Sequence, residues 1–163
     1  MSQPQPQIKT LTAKKLVGKK ITMSLTNNKT GELWQSFIPL RHTIPHQLGS
    51  ELYSLQIFKP DHFKAFNPNN EFVKWAAVEV SEFDKYENDL STLNLPSGLY
   101  AVFHYKGSSN DPGIFQYIYS SWLPQSEYSL DDRPHFELLG DKYKNNDPES
   151  EEEIWIPIKH KTA

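Results

Sequence analysis

Glu153 and Trp155, near the C-terminus, are the residues whose types and spacing could do chemistry. In Glu153-Ile-Trp-Ile-Pro-Ile158, strand alternation sends Ile154, Ile156 and Ile158 to one face and Glu153, Trp155 and Pro157 to the other. A carboxylate and an indole on one face make a receptor for a flat organic cation. The ring attracts the cation by about 0.5–2 kcal/mol, and the carboxylate neutralises its charge. A plainer reading stands beside this one. Glu153 closes the acidic run Asp147-Pro-Glu-Ser-Glu-Glu-Glu153, the composition of a solvated loop, and a half-buried tryptophan is ordinary core.

Other chemistries find little footing. The chain has no cysteine, which excludes thiolate zinc sites, iron–sulfur clusters, thiol catalysis and disulfides. His42 and His46 are four apart, but Pro45 breaks the helix that would aim both rings at one metal. His104 and His135 fall on expected strands that could face a cleft, without the spacing of a metal site. No GxSxG elbow, GxxxxGK[ST] loop or GxGxxG turn is present, so the expectation is no metal and no cofactor.

The elements that must position Glu153 and Trp155 come in two series. In the first, residues 15–23 read as a strand. Asn27 and Asn28 offer cap oxygens to a helix holding Leu33, Trp34, Phe37 and Ile38, which Pro39 ends or kinks. Strands over 52–58 and 72–80 follow, with the turn Asn67-Pro-Asn-Asn70 between them. In the second, a strand over 99–106 leads through the turn 108–113, with Asp111 and Pro112 as the start signal. The helix that follows carries Ile114, Phe115, Ile118 and Trp122, and Pro124 is its stop. Strands over 135–139 and 152–159 complete it. Two strand–helix–strand–strand units, each too small to bury its own sheet face, gain most by pairing about a pseudo-twofold axis, with a cleft between them.

The expected fold class is therefore α+β: two such modules with antiparallel sheets and a central ligand cleft. Residues 1–7, polar and proline-rich, read as a disordered lead-in to a single domain over 8–163. Module one covers about 8–82, a connector about 83–96 and module two about 97–160. The connector has Phe83, Tyr86, Leu90 and Leu93 at helical spacing, and its state is left open. Placing Ala76, Val78 and Val80 opposite Ile154, Ile156 and Ile158 puts Trp75, Ala77 and Glu79 on the cleft side. Trp75 would then be an opposite wall of the aromatic site, or simply packing. Trp34 and Trp122 are assigned to the core.

At 163 residues with a formal charge of −3, the chain has the size of one ordinary domain and the wrong sign to grip nucleic acid through its overall field. It has no secretory-type apolar stretch and no run near the roughly 20 apolar residues that span a bilayer. The expected location is cytoplasmic, with no membrane partner.

The segments SGLYAVFHYKG (97–107), IYSSWLPQSEYSL (118–130), HFELLGD (135–141) and EEIWIPIK (152–159), in this order and spacing, resemble the GyrI-like family. That family comprises small-molecule-binding domains of gyrase-inhibitory proteins and effector domains of multidrug-responsive transcription regulators. The resemblance is strongest over 97–159 and thinner over 8–96. It implies a fold of two strand–helix–strand–strand modules, with ligands bound in the central cleft. It also implies that Glu153 is the family's buried acidic group for cationic ligands and that the aromatic two residues later, here Trp155 in place of the family's usual tyrosine, stacks on them. Glu137, in the family's Phe-Glu segment (136–137), lies on an expected strand that neighbours the one carrying Glu153, and whether it faces the cleft is left open. Two nearby carboxylates cannot ionise independently, so one could serve as an acid while the other orients water. Exposure, or a salt bridge to Lys142, is the plainer reading of Glu137.

Three functions follow, in order. The first is a stand-alone protein that sequesters or senses hydrophobic aromatic compounds, cationic ones included, through Glu153, Trp155, Glu137 and Trp75. The two modules leave no room for a helix-turn-helix, so direct nucleic-acid binding is not expected. The second, implied by the resemblance because some relatives hydrolyse such compounds with cleft glutamates, is a hydrolase of cyclopropane-bearing alkylating compounds, with Glu153 and Glu137 catalytic. The third is a protein partner such as gyrase, met by the acidic residues 147–153.

Overall fold

The computed structural model describes residues 4–64, 67–87, 89–109 and 111–162. Met1 to Gln3 of the expected lead-in and Asn110 of the turn at 108–113 lie outside the described residues. Among the described residues nine strands and two helical regions are present: β1 (Gln7–Leu11), β2 (Lys14–Met23), α1 (Thr30–Phe37), β3 (Leu52–Ile57), β4 (Phe72–Val80), β5 (Ser91–Leu95), β6 (Gly98–Lys106), α2 (Gly113–Tyr117), α3 (Leu123–Gln125), β7 (Tyr128–Leu130), β8 (His135–Leu139) and β9 (Glu151–His160). A 3₁₀ stretch, Ile38–Thr43, follows α1, and a π-helical stretch, Ile118–Trp122, joins α2 to α3. Pro39 therefore tightens the helix into 3₁₀ geometry, and Pro124 sits inside the last helical turn instead of ending it. Asn28 Oδ1 accepts from the Thr30 N–H at 3.0 Å and Asp111 Oδ1 from the Gly113 N–H at 2.9 Å, each satisfying one donor that a helix start leaves open.

The strands run in the order β1-β6-β9-β8-β3-β4-β2-β5, antiparallel throughout, with β7 paired to β9. The two modules meet at β3 and β8, in a register centred on Ser54 opposite Glu137. Each edge strand belongs to the other half: β1, which precedes β2, pairs with β6, while β5, which precedes β6, pairs with β2. Each expected module boundary is thus crossed by a strand. β1 and β2 lie far apart in the sheet, yet Leu11 and Lys14 are three Cα steps apart, a reach of at most about 11 Å; Leu95 and Gly98 are tied likewise. The sheet must therefore curl until its ends meet.

Alternation divides the side chains between the two faces. On one face α1 packs Leu33 and Phe37 onto Val17, Ala76, Val78 and Val80, and the second helical region packs Ile114 and Ile118 onto Ala101, Phe103, Ile154, Ile156 and Ile158. On the other face every member of the cluster comes from a strand: Leu11, Leu16, Tyr53, Leu55, Trp75, Ala77, Leu95, Tyr100, Val102 and Phe136. Leu55 and Tyr100 are fully buried there with no helix above them. The curled sheet closes over its own aromatic and aliphatic residues. Gly18 permits part of that curl, since a Cβ at that position would lie 2.0 Å from the Ala76 carbonyl oxygen on the neighbouring strand.

Candidate functional site

The helix-free face holds the candidate site. β9 directs Glu153 and Trp155 onto it, β8 adds Phe136 and Leu138, β3 adds Tyr53 and Leu55, and β4 adds Trp75 and Glu79. The register makes the modules' equivalences explicit. Leu55 lies opposite Trp75 in one half and Leu138 lies opposite Glu153 in the other, so Trp75 occupies the position in module one that Glu153 occupies in module two.

The aromatic side chains fill this face. Trp155 stacks on Phe136 at 5.2 Å between ring centroids with planes 16° apart, and Tyr100 meets it edge-on at 5.7 Å. Tyr53 packs on Phe136 at 5.4 Å. Trp75 is 3% exposed, and its indole N–H has no acceptor among the described residues. Lysine ammonium groups lie over both indoles: Lys20 Nζ is 5.6 Å from the Trp75 centroid and Lys9 Nζ 5.9 Å from that of Trp155.

Glu79 and Glu153 share the face with different surroundings. Glu79 is neutralised, with Lys14 Nζ 3.3 Å from Oε2 and the Tyr53 hydroxyl donating to Oε1 at 3.3 Å. Glu153 accepts one hydrogen bond, from the Trp155 indole N–H at 3.1 Å, and among the described residues no basic side chain is within ion-pair distance. Tyr53 senses both acids. Burial, and then the negative charges of Glu79, Glu51 and Glu153, push its phenol well above the usual range. Tyr100 is pushed up to about 12 by burial against the opposing pull of Arg133, which lies 4.8 Å from its ring.

Glu137 is elsewhere. It pairs in register with Ile154, on the helix-covered face, so the expected Glu153–Glu137 couple does not form: neighbouring strands bring the residues close in register but send their carboxylates to opposite sides. Its company is the buried Lys74, Gln56 and Glu152. With the Gln56 amide oxygen facing the ammonium, it accepts from Lys74 while the amide nitrogen donates to Glu137 Oε2 at 3.2 Å. Burial pushes the Glu137 carboxyl up and lowers the Lys74 ammonium; Glu152 rises to about 7, by burial first and then by the charge of Glu137. His135 also faces the helices, hydrogen-bonded to the Tyr119 hydroxyl at 3.0 Å through Nδ1, and burial pushes it down to about 3.

The remaining candidates are dispersed. Trp122 packs edge-on against Phe103 at 5.2 Å under the second helical region, and Trp34 against Phe37 at 6.0 Å under the first. His46 faces Glu82 and Asp84. Among the described residues no three His, Asp or Glu side chains come together as metal ligands. The acidic run 147–153 does not present one charged face. Glu149 pairs with Lys106 at 3.2 Å, Glu151 with His104 at 2.8 Å, Glu152 turns to the helices and Glu153 to the aromatic face. Sequence reasoning passed over Tyr53, Tyr100 and Phe136 as site residues, although the alternation of Tyr53, Leu55 and Ile57 was a usable signal.

Residues 4–159 match the model of the GyrI-like small molecule binding domain. The chain belongs to the GyrI-like family. It is 30% identical over 148 residues to the transcriptional regulator BrlR of Pseudomonas aeruginosa, covering 88% of this chain and 51% of that protein. The chain thus spans about half the length of this relative. The C-terminal domain of EcmrR has the same fold, with a TM-score of 0.70 at 17% identity over 97% of this chain and 99% of that one. So does SAV2435, solved bound to tetraphenylphosphonium, with a TM-score of 0.65 at 20% identity over 95% and 94% of the two chains. Among the described residues no helix is long and apolar enough to cross a membrane.

Proposed function

We propose that this GyrI-like domain binds cationic aromatic compounds on its helix-free face and thereby sequesters or senses them. Glu153 supplies the counter-charge, Trp155 the stacking wall and Trp75 the opposite wall. The observation that carries the reading is the contrast between Glu79 and Glu153: Glu79 already has a cation and a hydroxyl, whereas among the described residues Glu153 has only the Trp155 N–H. Glu153 is half-buried beside these rings with no protein cation at ion-pair distance among the described residues, so a ligand cation supplies the charge partner that the protein does not. The tetraphenylphosphonium complex of SAV2435 gives a probe of suitable chemistry. The test is calorimetric titration of tetraphenylphosphonium into the wild type and Glu153→Gln. Losing a Coulombic attraction of about 1.5–3 kcal/mol, the size for unit charges roughly 6–10 Å apart at an effective dielectric of about 20, should weaken binding about 10- to 100-fold. Equal affinity in both proteins would remove Glu153 from the site.

Glu137 points to the opposite face, so the Glu153–Glu137 couple on which the hydrolase reading rests does not favour it over binding. The scattered acidic run likewise gives a protein partner no single charged surface.

A further inference from the structure

We infer that Lys9 is the resting occupant of the ligand's place on Trp155, so that the N-terminal strand sets the affinity and charge preference of the site. This rests on the reading of Trp155 as the stacking wall. An indole offers two faces. One is taken by Phe136, stacked at 5.2 Å and nearly parallel. Lys9 comes from the other direction, because in the order β1-β6-β9-β8 the Trp155 strand stands between the strand of Phe136 on one side and β6 and β1 on the other. Its ammonium 5.9 Å from the ring centroid therefore covers the face that Phe136 leaves open. A ring or cation that stacks on Trp155 while Phe136 stays in place must move Lys9 aside.

The opposite end of the sheet shows what this position does when it only packs. Lys9 pairs with Tyr100 as Leu93 pairs with Leu16, and the pseudo-twofold that carries Leu16 onto Tyr100 carries Leu93 onto Lys9. Leu93 packs against the aromatic cluster, whereas Lys9 is exposed, so moving it costs little packing. A lysine here thus acts in two ways. It holds a weak cation–π contact that any ligand must replace, and it sets a positive charge against a cationic one.

The experiment uses the full chain and tetraphenylphosphonium. Without ligand, the Lys9 side-chain methylenes should show an upfield ring-current shift in a ¹H–¹³C spectrum that disappears in Trp155→Leu; no such shift would overturn the inference whatever binds. In titrations Lys9→Met should bind tetraphenylphosphonium about three- to fivefold more tightly than wild type, the size of an exposed cation–π contact. Lys9→Arg should match the wild type. Lys19→Met makes the same charge change on the helix-covered face, opposite Ala76, and should leave affinity unchanged. Wild-type binding with no gain in Lys9→Met overturns the role of Lys9 while leaving the site standing. An equal gain in Lys19→Met assigns the effect to net charge and overturns it too. No binding by either wild type or Lys9→Met overturns the reading of the site and this inference with it.

Discussion

The two faces of the central strands place consecutive residues in opposite situations. Lys74, Gln56, Glu137 and Glu152 point toward the helices, and their chain neighbours Trp75, Leu55, Phe136 and Glu153 point away. On the helix side the polar groups are spent on one another. Lys74, Gln56 and the two carboxyls neutralise and hydrogen-bond within a cluster that divides the two helix-covered cores. On the other side the rings pack together and one carboxylate is left without a cation. Burial of polar groups on the first face makes structure, and incomplete pairing on the second is what the proposed binding site rests on.

The largest expected effect breaks the helix-side cluster. Lys74→Met leaves Glu137 and Glu152 without their cation and should cost about 3 kcal/mol of stability at pH 8, measured by urea unfolding. The loss should shrink toward pH 5 as both carboxyls take up protons, whereas a pH-independent loss would mean that Lys74 contributes only its volume.

An effect of opposite sign, at most as large, sharpens the same contrast. Glu152 has a carboxyl raised from 4.5 to about 7, so the folded state holds a proton that the unfolded chain releases first. Its contribution is therefore most favourable below pH 4.5 and declines as pH rises to 7, by up to about 3 kcal/mol. Glu152→Gln should flatten that decline and be more stable than the wild type at pH 8, with little difference at pH 4. Parallel stability curves for the two proteins would contradict the burial of this group.

The smallest effect falls on the paired acid of the open face. Glu79→Gln retains hydrogen-bonding capacity beside Tyr53 and loses a partly exposed ion pair, so it should cost about 0.5–1 kcal/mol and change tetraphenylphosphonium affinity less than threefold. A loss as large as that of Glu153→Gln would make the two acids equivalent and erase the distinction drawn here.

Much of this was legible from the residues alone. The strands at 72–80 and 135–139 fall where turn-formers bound β-branched and aromatic runs, and the two-module order is present. The alignment of Ala76 with Ile154 correctly put Trp75 and Glu79 on the face of Glu153. β1 escaped notice because its sequence, Gln7-Ile-Lys-Thr-Leu11, follows a proline-rich start and takes its ladder from residues 98–102, a long-range pairing without a local signal. β5 escaped because Phe83, Tyr86 and Leu90 mimic helical spacing; they pack on the α1 core while Leu93 and Leu95 turn to the other face. Glu137 was misplaced for a related reason. Alternation within 135–139 showed that Phe136 and Glu137 must face apart, but which of them faced Glu153 depended on the pairing of Leu138 with Glu153, a tertiary fact.

The central claim is that the cation missing beside Glu153 is supplied by the ligand. Calorimetric titration of tetraphenylphosphonium into wild type and Glu153→Gln, with thermal unfolding of both, tests it most directly. The account predicts folds of equal stability within about 0.5 kcal/mol and an affinity at least tenfold weaker in the variant. Undiminished binding by a folded Glu153→Gln would contradict it.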